Sequence, residues 1–332
     1  MSSSSSETSP PRPTRLVVGG LPVSIYGLEA LPAPSLSSSP SQGLAVFFLL
    51  HGRLSSSSHP LIPKFAHALL SHASAAKQAA NGQGKDLLVV TFDQRNHGHR
   101  EVEKERSLGW VEGSKKRLAE RASLGLRADE LDNPSHAVDV VSLQAGTAQD
   151  VSFLINFLPP ALFPGDEREV TEWYCGGISL GGHSTWLALA NDPRITLGIP
   201  IIGSPSSLTL LTHRALNLPP PAGPLPASAP YLPASLVSLL KRVDPDQRPM
   251  EVWKGKKVLV MSGEEDGLVS YVEGGTERFV ERLREEGGLE KLEVWVQEKT
   301  GHACTPEMIA RSCEFVWAHG LSSSSSSLGG KL

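Results

Sequence analysis

The chain has 332 residues, a formal net charge of −4, and hydrophobic residues at 39%. This length is enough for one large core, or for one domain with a lid. The charges are mixed along the chain, with no basic stripe for nucleic acid, and the longest apolar runs are too short to span a bilayer. Three cysteines do not make a disulfide framework, so a reducing compartment is favoured. We therefore expect a cytoplasmic protein with no nucleic-acid partner and no membrane span.

Both ends of the chain are rich in serine. Residues 1–14 and 321–332 carry too few apolar groups to fold, so they are predicted to be disordered tails around one domain at 15–320. The last residues, Gly330-Lys331-Leu332, are a degenerate form of the peroxisomal Ser-Lys-Leu ending. We favour a chance ending, which leaves a peroxisomal location as the alternative to a cytoplasmic one.

Between the tails, strand and helix patterns alternate. Strands are predicted at 15–28 (a hairpin), 44–50, 86–92, 172–178, 196–203, 257–261 and 292–297. Helices are predicted at 60–80, 138–158, after residue 179, and at 234–242, 275–286 and 306–319. Several strands are continuous apolar runs, which are typical of strands buried on both faces. The pattern predicts an α/β protein with a mainly parallel central sheet and helices on both faces.

Two stretches depart from this alternation, and one helix has a predicted stop. Residues 101–131 are charged and are predicted to be a solvated excursion with helical stretches. Residues 204–255 carry many prolines, which exclude a core strand or a long helix and predict a lid insertion. Pro159 and Pro160 are expected to stop the preceding helix at 158.

The most informative motif is Gly177-Ile178-Ser179-Leu180-Gly181, which follows an apolar run and precedes a helical pattern. The spacing is typical of a nucleophile elbow, a strained turn that exposes a serine hydroxyl above the end of a strand. The two glycines leave room for strand and helix to approach closely. A glycine-rich connection with an accidental serine would have the same letters, so the motif alone leaves catalysis open.

Five motifs in chain order resemble the α/β-hydrolase fold superfamily, of the serine hydrolase and esterase type, over about residues 44–320. They are His51-Gly52, Asp93-x-Arg95-Asn96-His97-Gly98, Gly177-x-Ser179-x-Gly181, Gly263-x-x-Asp266-x-x-Val269 and Gly301-His302. Each follows a predicted strand, where open α/β sheets place their sites. The resemblance implies the α/β-hydrolase fold, with the family's chain order of Ser, acid and His.

The resemblance also implies roles for particular residues. Ser179 would be the nucleophile, His302 the base, and Asp266 the acid that orients His302. The oxyanion hole would use the backbone N–H groups of Leu180 and Arg53. Arg53 stands where a small or apolar residue is expected, so its side chain could point into the site or away to solvent.

Other polar residues near these motifs have competing interpretations. Glu264 and Glu265 compete with Asp266 as the acid, although a glutamate in a turn is more often a solvated charge. Structural roles are favoured for a further group of residues: hydrogen-bonded positions for His51, His97 and His183, a cap or loop contact for Asn133 and His136, and a buried apolar position for Cys304.

The sequence contains no metal-binding spacing, P-loop or nucleotide fingerprint, so we expect no cofactor and no metal. Serine at the elbow excludes the carboxylate-nucleophile enzymes of this fold. The prediction is a hydrolase that cleaves a carboxylic ester of a small-molecule acyl substrate through an acyl-enzyme. The alternatives are an acyltransferase or C–C bond hydrolase with the same triad, or a non-catalytic binding protein of this fold. The substrate and the oligomeric state stay open.

Overall fold

The computed structural model describes residues 12–32, 43–113 and 115–322. The strands in these ranges are β1 Thr14–Val18, β2 Leu21–Tyr26, β3 Leu44–Leu50, β4 Asp86–Phe92, β5 Val170–Ile178, β6 Ile195–Ile201, β7 Lys257–Gly263 and β8 Lys291–Gln297. They form one sheet in the order β1-β2-β4-β3-β5-β6-β7-β8. The pairs β1–β2 and β2–β4 are antiparallel, and the other neighbours are parallel. The predicted mainly parallel sheet is confirmed.

The helices in the same ranges are α1 Leu61–Ala79, α2 Lys115–Ser123, α3 His136–Leu162, α4 Leu180–Asn191, α5 Ser207–Leu216, α6 Ala234–Val243, α7 Thr276–Glu286 and α8 Pro306–Val316. Residues of α3, α4 and α7 share one hydrophobic core with one face of the sheet. Residues of α1 and α8 share a second core with the other face. Helices therefore cover both faces, as predicted. Within the described ranges, no helix has the length and apolar character needed to cross a membrane.

The strand β3 shows why its sequence is an unbroken apolar run. All seven of its residues are buried. Successive side chains of a strand point to opposite faces, so Phe48 joins the core beneath α3 and α4, while Phe47 joins the core beneath α1 and α8. A central strand covered by helices on both sides has no solvent-facing positions that would favour polar residues.

The predicted stop at 158 is wrong, because α3 continues through Pro159 and Pro160 to Leu162. The two prolines lack an N–H donor but occupy only the last turn, and the carbonyl of Pro159 accepts a hydrogen bond of 2.8 Å from the N–H of Phe163. Ile155 and Leu158 are buried in the core beneath this turn. This packing outweighs the missing donors.

The ends of the folded region also differ from the predicted boundaries. Thr14 already belongs to β1, and Leu321 is fully buried in the second core. The rest of the predicted tails, 1–11 and 323–332 with Gly330-Lys331-Leu332, lies outside the described residues.

The proline-rich stretch at 204–255 contains α6, which the sequence predicted, and α5, which it did not. Both helices contribute to a third hydrophobic cluster with the start of α3 and with Leu180. The stretch therefore covers the beginning of α4, beside the predicted elbow.

Candidate active site

Ser179 occupies the turn between β5 and α4 with φ 54° and ψ −111°. A positive φ is unfavourable for a residue with a side chain, and such strain persists only where the surroundings hold it. The N–H of Ser179 donates to the carbonyl of Ile201, and the carbonyl of Ser179 accepts from the N–H of His183, both at 2.9 Å. The turn is thus held both by the neighbouring strand and by its own helix, as expected for a nucleophile elbow.

The two glycines of the motif are required by close packing of the backbone. A Cβ at Gly177 would lie 2.5 Å from the backbone of Gly181, and a Cβ at Gly181 would lie 2.5 Å from the carbonyl oxygen of Leu50. Any side chain at either position would push α4 away from the ends of β3 and β5. This agrees with the close approach predicted from the spacing.

The side chains of Ser179, His302 and Asp266 form one chain of hydrogen bonds. His302 Nε2 lies 2.8 Å from Ser179 Oγ, and His302 Nδ1 lies 2.7 Å from Asp266 Oδ2. Each ring nitrogen therefore has one partner, a hydroxyl on one side and a carboxylate on the other. The side chain of His302 is 23% exposed, whereas that of Asp266 is completely buried.

Asp266 is stabilised in its ionised form. Its Oδ1 accepts backbone N–H groups from Leu268 at 2.9 Å and from Val269 at 2.8 Å. Burial alone would raise the pKa of this carboxyl, but the hydrogen bond and charge of His302, together with the two backbone donors, outweigh burial and lower it. A carboxylate at this position can hold the Nδ1 proton of His302.

The sheet explains why residues so far apart in sequence meet. Ser179 follows β5, Asp266 follows β7, and His302 follows β8, so all three lie at the carboxyl edge of parallel strands. The last two turns touch directly, since the N–H of Glu265 donates to the carbonyl of Thr300 at 2.9 Å. A Cβ at Gly263 would clash with the same carbonyl, so glycine allows this contact.

The competing acids are placed elsewhere. Glu264 and Glu265 are exposed, and Glu264 accepts the N–H of Lys299 at 3.1 Å. Only Asp266, of these three acids, reaches His302.

The two predicted oxyanion donors lie on adjoining turns. The N–H of Gly181 donates to the carbonyl of His51 at 3.1 Å, which joins the start of α4 to the loop after β3 that carries Arg53. Among the described residues, the N–H groups of Leu180 and Arg53 have no hydrogen-bond acceptor. The Arg53 side chain turns inward, where its guanidinium bonds the carbonyl of Ser107 at 2.8 Å and pairs with Glu112. Of the two directions considered for the Arg53 side chain, it takes the one into the site and not the one toward solvent.

The other histidines near the site are bonded to backbone. His51 Nδ1–H donates to the carbonyl of Gly52 at 2.8 Å, and its Nε2 accepts the N–H of Gln94 at 3.0 Å. His183 lies against the backbone of Ser204, whose N–H is 3.0 Å from Nδ1. Burial lowers the pKa of both histidines to about 4, so they are neutral at physiological pH. Their predicted structural roles agree with these contacts.

The structural roles predicted for His97, His136 and Asn133 also agree with the contacts, whereas Cys304, predicted to be buried, is only half-buried against the second core. His97 Nδ1 lies 2.9 Å from the carbonyl of Arg95, and His136 Nδ1 lies 2.9 Å from that of Leu108. Asn133 holds the loop before α3 by donating to the carbonyl of Leu108 at 3.2 Å. Burial raises the pKa of the Cys304 thiol to about 12, which leaves it unreactive.

Sequence reasoning missed Arg214. This residue of α5 lines a cavity of about 30 Å³ beside Ser179, together with Arg53 and Leu211. Its position was readable in principle, because Arg214 follows the buried Leu210 and Leu211 by four and three residues and therefore shares their helix face. The pattern was overlooked because the prolines at 204–255 were interpreted as excluding a long helix.

Two larger cavities, of about 1030 and 620 Å³, lie beside β1, β2 and α1. None of the three hydrogen-bonded residues lines them. Among the described residues, no group of three or more His, Cys, Asp or Glu side chains is suited to a metal ion.

No protein-family model matches the sequence, and no curated protein matches it significantly. Solved structures match the fold. TT1662 from Thermus thermophilus has a TM-score of 0.58 at 21% identity, over 92% of this chain and 97% of that one. A puromycin hydrolase has 0.52 at 15% identity, over 94% and 39%. The acylaminoacyl peptidase of Pyrococcus horikoshii has 0.51 at 14% identity, over 96% and 43%.

The chain therefore spans only about two fifths of the length of the last two proteins. At these identities the likeness establishes the fold alone. The chain has the α/β-hydrolase fold, which confirms the fold that the five motifs implied.

Proposed function

We propose that this protein is a serine hydrolase that cleaves a carboxylic ester through an acyl-enzyme. The observation that supports this most is the continuous chain from Asp266 through His302 to Ser179, with distances of 2.7 and 2.8 Å. The names of two proteins of the same fold, a puromycin hydrolase and an acylaminoacyl peptidase, favour hydrolysis only by analogy of fold.

In the first half of the reaction, Ser179 Oγ attacks the ester carbonyl carbon while His302 Nε2 takes the hydroxyl proton. Asp266 accepts from His302 Nδ1–H, which fixes the tautomer and stabilises the imidazolium. The negative oxygen of the tetrahedral intermediate accepts from the N–H groups of Leu180 and Arg53. The C–O bond to the alcohol then breaks, and the leaving oxygen takes the proton from His302. An acyl-enzyme on Ser179 and a free alcohol result.

In the second half, a water molecule takes the place of the alcohol. His302 Nε2 accepts a proton from the water as its oxygen attacks the acyl carbon. The bond to Ser179 Oγ breaks, Oγ recovers its proton from His302, and a carboxylic acid leaves. The partial exposure of the His302 side chain, 23%, gives this water a route to the base.

We also propose that residues 204–255 act as a lid over this site. The cluster that contains Leu211, Leu236 and Leu240 packs on the start of α3 and on Leu180, next to the nucleophile. A lid opens at a lower free energy than the sheet beneath it. Amides of α5 and α6 should therefore exchange with deuterium faster than those of β3 and β5. Equal protection of helices and strands would identify the segment as core.

The nucleophile is tested by Ser179→Ala, which should lower kcat/KM for simple 4-nitrophenyl esters by roughly 10⁴-fold or more with the fold intact. A fluorophosphonate probe should label the wild type at one site and leave the variant unlabelled. The matched control is Ser184→Ala, since the Ser184 hydroxyl only donates to the carbonyl of Leu180 within α4.

Three outcomes would contradict parts of this proposal. Substantial activity and labelling in Ser179→Ala would show that the nucleophile is elsewhere. A wild-type protein that neither labels nor cleaves esters would be a non-catalytic member of the fold. Transfer of the acyl group to added alcohols in preference to water would make the enzyme an acyltransferase.

A further inference from the structure

Within the part of the chain that the structure describes, Arg214 is a cation without a bonded partner beside Ser179. It lines the same cavity as Ser179, and its guanidinium makes no hydrogen bond or ion pair with any group in residues 12–32, 43–113 and 115–322. A guanidinium has five N–H donors and cannot act as an acceptor. Hydrogen-bond donors that face a cavity and have no acceptor there favour a ligand that supplies acceptor atoms.

The surroundings of Arg214 strengthen this expectation. Burial and the nearby positive charge of Arg53 lower the pKa of Arg214 to about 10, so it still carries its charge at neutral pH. Holding the Arg214 guanidinium partly out of water and near the Arg53 guanidinium costs free energy unless an anion binds to it.

The two carboxylates whose charges act on Arg214 already have other partners. Glu112 pairs with Arg53 and accepts the N–H of Gly109. Asp266 pairs with His302 and accepts two backbone N–H groups. Both acids act on Arg214 through their charge, but neither forms an ion pair with it. Within the described ranges, the acceptor that Arg214 lacks is therefore not supplied by the protein.

We propose that the natural ester carries a carboxylate close to its scissile carbonyl, and that Arg214 binds this carboxylate. The inference rests on the hydrolase function proposed above and narrows its substrate class. The cavity of about 30 Å³ has room for a group about the size of one or two water molecules. A planar carboxylate fits this space better than a tetrahedral phosphate, and its two oxygens match the guanidinium fork.

Two pairs of substrates, alike except in charge, test the proposal. On the acyl side, the 4-nitrophenyl monoester of glutaric acid is compared with the 4-nitrophenyl ester of glutaramic acid. On the alcohol side, acetoxyacetate is compared with acetoxyacetamide. The measured quantity is the ratio of kcat/KM for the anionic ester to that for its neutral partner, corrected with Ser179→Ala for spontaneous hydrolysis.

In at least one pair, the wild type should prefer the anionic ester. Arg214→Met should lower the ratio by about 10- to 100-fold, chiefly through KM, because a charge-assisted bidentate contact is lost. Arg214→Lys keeps the charge without the fork and should give an intermediate ratio. It also tests the proposal if Arg214→Met does not fold. The matched control is Arg242→Met, an exposed arginine of α6, which should leave the ratio unchanged.

The outcomes separate this proposal from the proposed hydrolase function. If neutral esters are cleaved with dependence on Ser179 but no pair shows a preference that Arg214 controls, the hydrolase stands and the carboxylate site is overturned. If no ester is cleaved, calorimetry still decides: monomethyl glutarate should bind the wild type more tightly than methyl glutaramate, and Arg214→Met should abolish the difference. Equal binding of both compounds would overturn the proposal.

Discussion

The turn after β4 and the turn after β7 each bury an aspartate close to histidine. In the first turn, Asp93 accepts the N–H and the O–H of Ser57, both at 2.8 Å, and the N–H of His99 at 2.8 Å. In the second, Asp266 uses only Oδ1 for backbone N–H groups and leaves Oδ2 to His302. Both oxygens of the Asp93 carboxylate accept hydrogen bonds from loop residues, whereas Asp266 keeps one oxygen for the side chain of His302.

The histidines differ in the same way. Both ring nitrogens of His51 are bonded to backbone groups, and the ring is completely buried. Neither ring nitrogen of His302 is bonded to the backbone, since one lies against Asp266 and the other against Ser179. Residue types alone do not distinguish an Asp–His pair with a structural role from the pair proposed to be catalytic. The distinguishing feature is whether a ring nitrogen remains for a nucleophile.

The first turn still serves the site indirectly. Asp93 holds Ser57, which lies in the same loop as Arg53, and the carbonyl of His51 accepts the N–H of Gly181. The turn after β4 thus fixes the loop that carries one of the two proposed oxyanion donors. We expect its variants to affect stability first and activity second.

Among the changes that test the contrast between the two turns, the largest effect should come from Asp266→Asn. The amide cannot hold the Nδ1 proton of His302 in the same way and favours the wrong tautomer, so kcat should fall on the order of 10²- to 10⁴-fold. Steady-state kinetics on a 4-nitrophenyl ester measures it. The controls Glu264→Gln and Glu265→Gln change exposed carboxylates and should each cost less than about tenfold. If Glu265→Gln nearly abolished activity while Asp266→Asn had a mild effect, the acid would be Glu265 and not Asp266.

Asp93→Asn should lower stability more than it lowers kcat, the reverse of what is expected for Asp266→Asn. The carboxylate that receives three donors becomes a neutral amide, so the free energy of unfolding should fall by about 2–3 kcal/mol. Urea denaturation measures this, and Asp129→Asn, at an exposed position, should stay within about 0.5 kcal/mol of the wild type. The kcat of the folded variant should change less than that of Asp266→Asn. Equal losses of kcat in both variants would remove the distinction between the two turns.

The smallest effect concerns pH. Burial lowers the pKa of His51 to about 4, below the value of about 6.5 for an exposed histidine. Below about pH 6.5 the unfolded chain therefore binds a proton that the folded chain does not. Stability that is fully present above about pH 6.5 is lost as the pH falls toward about 4. His183, whose pKa burial also lowers to about 4, contributes in the same direction.

His51→Gln should reduce this pH dependence by up to about one proton. Urea denaturation at about pH 5, 6 and 7 gives the slope, and His99→Gln, at an exposed position, is the control. If His51→Gln kept the slope of the wild type, His51 would not be neutral in the folded protein, and the contrast with His302 would be weaker.

The sequence predicted most of the sheet, because each strand is a local run of apolar residues or a simple alternation. It failed where distant packing overrides a local rule. The core beneath Ile155 and Leu158 carries α3 past two prolines, and Leu321 is buried although the Ser-rich stretch that it opens is predicted to be disordered. The helix α5 was missed for a related reason, since the proline content describes the whole stretch and not residues 207–216, which contain no proline.

The sequence by itself determined the fold and predicted the elbow, because the spacing of Gly177, Ser179 and Gly181 expresses a steric requirement of the neighbouring backbone. It also narrowed the acid and the base to a few candidates at strand ends. Only the tertiary structure decided that Asp266 reaches His302, and that Arg214 faces the cavity beside Ser179 without a partner among the described residues. Both facts depend on which loops meet across the edge of the sheet. Distances between loops carried by different strands are set by the packing of the whole sheet and leave no local signature in the chain.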